Sequence, residues 1–346
     1  MRAWREPDPA EEARRREARE ADTICDLERA GIDLDPDNER LHAAGLPHAH
    51  PHRRSRPGDP PLTGIVGAGA VGTALGVALQ RAGWPITAVA SRDPAHRERF
   101  RSLVPGVRAF GEATALLDDV ELVILAVPDD AIGPLAAGLR LYSGQAIVHT
   151  SGLLGADVLA PAMAAGTQAG SFHPLVAFAD VERAVAALHG ATIALEGDDD
   201  LVALLAEMAE AIGGVPVRLT PGAKAAYHAA AVLAAGGVVA LLDAIVELGR
   251  VAGLDEAGAL AVYLPLVRQT IDNARALGVR AALTGPFARG DAGTLQAHLG
   301  ELHLHAPDVV ELYRALGRRE LRLARERGSL TPEAAERLAR SLANPA

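Results

Sequence analysis

A glycine-rich turn between an apolar run and a helical pattern constrains the fold of this chain more than any other feature. The segment GIVGAGAVGTAL, residues 64–75, has the spacing G-x-G-x-x-G. Gly67 permits a tight turn, Gly69 lets the backbone approach a pyrophosphate, and Gly72 lets the helix pack on the strand. Free N–H groups at the helix N-terminus favour an anion. The turn therefore predicts a dinucleotide-binding site. The intervening residues of that site are Ala68, Ala70 and Val71.

Short apolar runs alternate with helical patterns from Leu62 to about Leu219, which is typical of a parallel α/β sheet. The predicted strands are LTGIV, ITAVAS, ELVILAVP, QAIVHTS, GSFHPL, ATIALEG and VPVRL, and the first helix is predicted over residues 73–82. After Thr220 the pattern changes to long helical stretches. Thr220 and Pro221 supply an N-cap hydroxyl and a first-turn proline, so a helix is predicted to begin there.

These patterns predict an α/β fold class with three regions. A Rossmann-type parallel-sheet domain spans residues 61–219, and an all-α domain for substrate binding and dimerisation spans residues 220–346. Residues 1–60 contain mixed charges and a stretch rich in Pro, His and Arg, with no sustained apolar face. We interpret them as a poorly ordered N-terminal extension.

Composition excludes several classes of function. The chain is 49% hydrophobic but only 3% aromatic, and its net charge is −10, which disfavours nucleic acid and anionic membranes as partners. The single cysteine, Cys25, rules out a disulfide framework, and no His, Cys and carboxylate spacing suggests a metal site. The charged N-terminus lacks an apolar signal region. The most apolar run, residues 229–242, is shorter than the ~18–20 residues that span a bilayer. We predict a cytoplasmic protein in which this run is a buried core helix, approached closely at Gly236 and Gly237.

The end of the second strand favours NADP over NAD. NAD-preferring proteins place an acidic residue there, about 20 residues after the turn, to bind the ribose 2′-hydroxyl. Here Ser91 and Arg92 occupy the position, and a hydroxyl with a guanidinium can hold a 2′-phosphate. Alternatively, Arg92 only stacks on the adenine, which would leave the preference weak.

Several candidate residues follow other strands, at the sheet edge where ligands bind in open α/β folds. Val127 and Pro128 end the predicted strand segment ELVILAVP and are predicted to contact the nicotinamide. Ser151 and Gly152 can offer a hydroxyl and a backbone N–H to a substrate carboxylate, or can form a plain turn. His173, in SFHPL, either contacts substrate or is structural.

One of the basic residues differs in type from all the others. Of 34 basic residues, Lys224 is the only lysine, and a guanidinium cannot replace an ammonium that must lose its proton. A position near a helix N-terminus and partial burial both lower the pKa of a lysine, so that it can protonate a developing alkoxide. Survival by chance is the alternative. Tyr227 and His228 follow on the same helical face. Tyr227 is a candidate substrate contact, and His228 either relays the proton or is a core histidine.

A second polar cluster lies in LTGPFARGDAGTLQAHL, residues 283–299. Arg289 can clamp a substrate carboxylate through its planar guanidinium. Asp291 either contacts substrate or caps the following helix.

The G-x-G-x-x-G turn, LVILAVPDD, SFHPL, KAAYHAAAV and LTGPFARGD together resemble a family of Rossmann-like oxidoreductases whose C-terminal part is a domain of unknown function, number 2520. The resemblance covers about residues 62–330. This family is similar to ketopantoate reductases, pyrroline-5-carboxylate reductases and β-hydroxyacid dehydrogenases. In the first and third groups a helix carries a catalytic Lys and, one turn later, an Asn that holds substrate. Lys224 matches that Lys, whereas His228 takes the place of the Asn. The resemblance implies reductase chemistry and a homodimer formed through the helical domains.

We therefore expect an NADP-dependent reductase of a small 2-oxo acid, such as a ketopantoate-like substrate. Lys224 would be the general acid, and Arg289 with Ser151 would hold the carboxylate. One alternative is an imine reductase of the pyrroline-5-carboxylate reductase type. Another is an NADP-binding sensor or scaffold without turnover.

Overall fold

The structure is a computed structural model that describes residues 59–141, 144–163, 167–220 and 222–343. The predicted extension, residues 1–60, lies outside the described part except for its last two residues. Its interpretation stays a prediction.

Eight strands form a single sheet in the order β3-β2-β1-β4-β5-β6-β7-β8. Neighbouring strands are parallel, except that β6 and β7 are antiparallel. The chain reverses its direction of travel across the sheet between β1 and β4, which is where dinucleotides bind in such folds. The strands are β1 (Thr63–Val66), β2 (Ile86–Ala90), β3 (Arg108–Phe110), β4 (Leu122–Leu125), β5 (Ala146–His149), β6 (Gln168–Pro174), β7 (Thr192–Glu196) and β8 (Val215–Arg218).

Seven of these strands match the predicted ones, and β3 was missed. It has three residues and lies at the edge of the sheet, with Arg108 exposed and its neighbours half-buried. An edge strand of this kind needs no buried apolar run, because its backbone pairing with β2 defines it. Hydrophobic patterning therefore gave no signal for it.

Helices cover both faces of the sheet. They are α1 (Ala70–Arg81), α2 (Pro94–Leu103), α3 (Asp129–Gly138), α4 (Ala160–Met163), α5 (Val181–Leu188) and α6 (Asp199–Ala211). Adjacent residues of β1 enter two different cores, Ile65 on one face of the sheet and Val66 on the other. Burial on both faces explains why the strands are continuously apolar. α1 begins at Ala70, three residues before its predicted start, because Gly69 is its N-cap.

The chain divides into two compact units between Ala231 and Val232. Beyond Arg218 the described residues form helices and no strand, as predicted. These helices are α7 (Lys224–Ala234), α8 (Gly236–Val251), α9 (Glu256–Leu277), α10 (Val279–Ala282), α11 (Gly285–Arg289), α12 (Ala292–His305), α13 (Val310–Arg327) and α14 (Pro332–Ala343). The core of the second unit includes Phe287, Leu295, Leu321 and Leu338.

The predicted start of α7 was wrong. The helix begins at Lys224, whereas Thr220 only accepts a turn hydrogen bond, through its carbonyl, from the N–H of Ala223 at 3.0 Å. Gly222 has φ +81°, a left-handed conformation that a right-handed helix cannot include. Pro221 itself lies outside the described residues.

The predicted burial of the apolar run was also wrong. Leu233 and Val239 are 68% and 66% exposed, and none of the atoms that the structure describes outside this run lies within 4 Å of a β-carbon placed on Gly236. Ala235, with ψ −81°, separates α7 from α8. Residues 224–251 are long and apolar enough to cross a membrane, and a window of 18 residues within them has a mean hydropathy of 2.3. One such segment is weak support for a membrane protein, since soluble proteins contain similar helices. The amino-acid composition shows that this run is apolar, but it does not show whether other residues of the chain bury it.

Candidate functional site

The glycine-rich turn has the geometry that its spacing predicts. Gly67 has φ +105°, and a β-carbon placed on it would lie 2.1 Å from the carbonyl oxygen of Ala126. A β-carbon on Gly72 would lie 1.9 Å from the carbonyl oxygen of Gly67. Gly69 differs, because no atom of the described residues lies within 4 Å of the same point and its φ is −76°. Two glycines thus permit close packing, and the third leaves open space.

The N-terminus of α1 fits the pyrophosphate of a dinucleotide. Gly69 is its N-cap, and no side chain in the described part of the chain caps the helix, so its first N–H groups remain available to an anion. The turn lies beside the end of β4, where a β-carbon on Gly67 would come within 3.1 Å of the Val127 side chain. The residues predicted for the phosphates and for the nicotinamide therefore adjoin each other.

The end of β2 combines a hydroxyl with two guanidinium groups. Ser91 is half-buried and Arg92 is exposed. Arg97, on α2, donates a hydrogen bond to the carbonyl oxygen of Ser91. The carboxylate of Asp93 caps α2, accepting from the N–H of Ala95 at 2.8 Å, and these backbone hydrogen bonds lower its pKa. Sequence reasoning missed Arg97, although a second basic residue early in the helix after β2 was a visible signal.

Lys224 is buried at the start of α7. Its ammonium donates a hydrogen bond to the carbonyl oxygen of Ser151 at 2.7 Å and lies 3.7 Å from a carboxylate oxygen of Glu196. The residue is only 3% exposed. Burial lowers the pKa of Lys224, while the charge of Glu196 acts in the opposite direction. The direction of the shift is the one that proton donation near neutral pH requires.

Two imidazole rings face Gly152 near this lysine, and the Tyr227 ring contacts one of them. His173 Nδ1 and the Tyr227 hydroxyl are hydrogen-bonded at 3.2 Å, and the rings of His173 and His228 meet edge to face at 6.1 Å. A β-carbon on Gly152 would lie 2.4 Å from His228 Nδ1 and 2.7 Å from His173 Nε2. The absence of a side chain at Gly152 therefore allows both imidazoles to approach the backbone.

His228 Nδ1 is buried and has no hydrogen-bond partner among the residues that the structure describes. A buried polar atom without a partner is costly. The nitrogen is therefore available to a ligand group at this place.

His149 is a member of the site that sequence reasoning missed. It is fully buried; its Nδ1 accepts from the N–H of Ser151 at 3.2 Å, and its Nε2 lies 3.0 Å from the carbonyl oxygen of Gly155. This pattern places the ring proton on Nε2. Burial lowers the pKa of both His149 and His173 to about 4. Both rings are therefore neutral at neutral pH.

The hydroxyl of Ser151 accepts hydrogen bonds from the N–H groups of Leu153 and Leu154, at 3.1 and 3.0 Å. The hydroxyl thus stabilises a plain turn, which the sequence offers as the alternative to binding a substrate carboxylate. Its carbonyl oxygen is the part of the residue that contacts Lys224.

The first unit gathers the predicted residues from strand ends and α7, whereas Arg289 and Asp291 belong to the second unit. Arg289 ends the short helix α11 and is exposed. Asp291 caps α12, accepting from the N–H and the hydroxyl of Thr294 at 3.0 and 2.6 Å, and these bonds lower its pKa. The capping role considered for Asp291 is present.

Two protein families match the chain over successive parts. The Rossmann-like domain matches residues 53–174, and a domain of unknown function, DUF2520, matches residues 191–320. The two matches agree with the motifs of the chain: its N-terminal part is similar to Rossmann-like domains and its C-terminal part to DUF2520. A search of curated proteins found no match.

Solved structures share the fold. A protein from Thermotoga maritima is 27% identical, with a TM-score of 0.61, over 77% of this chain and 99% of that one. A Bacteroides fragilis protein, provisionally named an NADP oxidoreductase, is 23% identical, with the same TM-score, over 77% and 97%. A reductive aminase from Aspergillus terreus, in complex with NADPH and ethyl-5-oxohexanoate, is 17% identical, with a TM-score of 0.53, over 82% and 94%. Pyrroline-5-carboxylate reductases also match, at 16% and 15% identity.

Proposed function

We propose that the protein is an NADP-dependent oxidoreductase that reduces a small 2-oxo acid, with Lys224 as the general acid. The observation that carries the proposal is the only lysine of the chain, buried at the carboxyl edge of the sheet near His173, whose ring contacts those of Tyr227 and His228. Perturbed titratable groups at such edges are candidate catalytic groups. The assay is oxidation of NADPH with a panel of small 2-oxo acids.

The cofactor assignment rests on the fit of the glycine-rich turn. The open space at Gly69 and the uncapped N-terminus of α1 suit a pyrophosphate. Val127 and Pro128 would contact the nicotinamide ring, and NADPH, when bound, supplies a hydride. Two of the structures with this fold are described with NADP or NADPH. They support the choice of cofactor through the fold that they share.

We expect the protein to bind NADPH more tightly than NADH, because NADH lacks the 2′-phosphate that Ser91, Arg92 and Arg97 are proposed to hold. Arg92→Ala should weaken NADPH binding by about tenfold or more, the loss of roughly one charge-assisted contact of 1.5–3 kcal/mol, and leave NADH binding unchanged. Fluorescence titration of both nucleotides measures this. Arg99→Ala, on an exposed position of α2, is the matched control. Equal affinities in the parent protein would contradict the assignment.

Among the groups at this edge, Lys224 is the best proton donor. His173, with a pKa of about 4, holds no acidic proton at neutral pH. Burial raises the pKa of Tyr227, which makes its hydroxyl a weaker acid. Burial lowers the pKa of Lys224, so its ammonium can protonate a developing alkoxide and be recharged afterwards.

The same groups offer contacts for the substrate. The partnerless Nδ1 of His228 lies beside the backbone at Gly152, and the Tyr227 hydroxyl contacts the neighbouring ring of His173. Arg289 lies in the second unit, and its assignment to a substrate carboxylate stays a prediction that rests on the two parallel hydrogen bonds that a guanidinium can donate. His228 would hold substrate, in the position where related reductases place an Asn, or relay the proton to Lys224.

An imine reductase is the second candidate. The reductive aminase and the pyrroline-5-carboxylate reductases share the fold. Reduction of an imine that is already protonated depends less on Lys224 as a proton donor. Cyclic imines in the same assay separate the two reactions. Tight NADPH binding without turnover on either panel would instead favour a sensor or scaffold.

We also propose that the protein forms a homodimer through α7, α8 and α9. Apolar side chains along these helices are largely exposed: Val232, Leu233, Val239, Val262, Leu266 and Ile271. An apolar surface of this kind marks an interaction site. A second copy is favoured over a membrane because a net charge of −10 is repelled by anionic lipid.

Replacing Leu233 and Val239 by Asp should convert the dimer to a monomer, because a carboxylate buried in an apolar interface costs several kcal/mol. Light scattering after size exclusion measures the mass. Leu304→Asp, at a side chain 72% exposed on α12, should leave the dimer intact. A parent protein that is monomeric at micromolar concentration, or soluble only in detergent, would contradict the dimer.

A further inference from the structure

Glu196 is the acidic residue that contacts Lys224, and no motif drew attention to it. It ends β7, and in the antiparallel pairing of β6 with β7 its backbone lies opposite Ser171. Its carboxylate accepts a hydrogen bond from the Ser171 hydroxyl at 3.3 Å, and the same oxygen lies 3.7 Å from the Lys224 ammonium. Sheet pairing therefore fixes where this carboxylate lies.

Burial makes this partner necessary. The side chains of Lys224 and Glu196 are 4% and 12% exposed, and a buried ammonium without a counter-charge carries a large desolvation cost. The Ser151 carbonyl accepts one of the three ammonium protons but carries no net charge. A carboxylate beside the ammonium stabilises its charged form.

The other titratable groups that act on Lys224 do not replace Glu196. Asp129, at the start of α3, contributes a weaker attraction and is exposed. His149 and His173, at the ends of β5 and β6, have pKa values of about 4 and are neutral at neutral pH. The negative charge that stabilises the ammonium therefore comes chiefly from Glu196.

We infer that Glu196 is a positioning residue for the proposed reduction: it fixes the Lys224 ammonium against the Ser151 carbonyl and keeps it protonated until the substrate oxygen takes the proton. The inference rests on the proposed role of Lys224 as general acid. Glu196 is not itself proposed to touch substrate or cofactor, because its contacts are with Ser171 and Lys224.

Glu196→Gln separates this role from a merely structural one. Glutamine keeps the size and burial of the side chain but removes its charge, so only the weaker attraction of Asp129 would oppose the desolvation of Lys224, and the pKa of Lys224 would fall below the parental value. In an activity profile, the loss of turnover with rising pH would begin at lower pH. At pH values where Lys224 stays charged, turnover would remain near the parental value. A structural defect would instead lower turnover at every pH.

The pKa can be measured without any substrate, because the chain has one lysine. Selective ¹⁵N-lysine labelling yields a single side-chain amine signal, whose shift with pH reports the pKa of Lys224 directly. We expect a lower pKa in Glu196→Gln than in the parent. Glu210→Gln, the same substitution at an exposed position of α6, should titrate as the parent does. A Lys224 pKa that is unchanged or higher in Glu196→Gln would overturn the inference.

If Glu196→Gln does not fold, Glu196→Asp provides the test. Its carboxylate is one methylene shorter and recedes from the ammonium, so the pKa of Lys224 should still fall; an unchanged pKa would overturn the inference. The titration is also independent of the proposed reaction. A lowered pKa in a protein that reduces neither oxo acids nor imines would contradict the proposed function and leave the Glu196–Lys224 pair supported.

Discussion

Lys224→Arg should fold and bind NADPH like the parent protein but turn over its substrate ~10²–10⁴-fold more slowly, the usual contribution of a general acid. The guanidinium keeps a positive charge beside Glu196 and can still donate to the Ser151 carbonyl. It stays protonated under all relevant conditions and so cannot give up a proton. NADPH affinity should be unaffected, because Lys224 lies outside the glycine-rich turn.

The comparison with Lys224→Met distinguishes charge from proton transfer. If Lys224 acted through charge alone, Arg would largely restore the turnover that Met loses, whereas loss of a proton donor should impair both variants alike. Turnover of the parent should also fall as pH rises through the lowered pKa of Lys224, because the ammonium is the active form. Stopped-flow or steady-state measurement of NADPH oxidation across a pH series gives both the turnover of the variants and its dependence on pH. Near-parental turnover of Lys224→Arg would contradict the assignment.

Two alanine substitutions in the glycine-rich turn should affect different properties, one the stability of the fold and the other the binding of NADPH. Gly67→Ala should destabilise the fold by several kcal/mol and lower its melting temperature, because the new methyl group would meet the Ala126 carbonyl oxygen at 2.1 Å and φ is +105°. Gly69→Ala should melt like the parent, since its φ is −76° and the β-carbon meets no atom. It should nevertheless bind NADPH more than about tenfold more weakly, because the methyl group occupies the space proposed for the pyrophosphate.

Calorimetry and nucleotide titration on the same two samples measure this pair of effects, and each variant is the control for the other. Parental NADPH affinity in Gly69→Ala would mean that the open space at this glycine is not the phosphate site. A parental melting temperature in Gly67→Ala would contradict the strain that the backbone geometry implies.

The elements of the first unit were largely predictable because their signals are local. The strands that bury both faces are continuously apolar, as Ile65 and Val66 illustrate. The glycine spacing specifies a turn in which Gly67 and Gly72 each meet backbone. The edge strand β3 was missed because it buries no apolar run, and the start of α7 was misplaced because the conformation of Gly222 is not written in residue type.

The candidate site was predictable only in part. A lysine in a chain otherwise built with arginine is visible in sequence, and so are residues after strand ends, including Gly152 and His173. The hydrogen bond between His173 and Tyr227 depends on how β6 packs against α7. His149 and Arg97 have roles that are set by hydrogen bonds to the carbonyls of Gly155 and Ser91.

The sequence by itself determined seven of the eight described strands, the change to helices after them and the nucleotide turn, since each depends on residues that are near neighbours in the chain. Tertiary structure decided which charge meets Lys224, because Glu196 is brought to it by the antiparallel pairing of two strands. It also decided that the apolar run from α7 to α8 is exposed rather than buried. The composition of a sequence gives the amount of apolar side chain, but only the packing of the folded chain shows which of these side chains are buried within it.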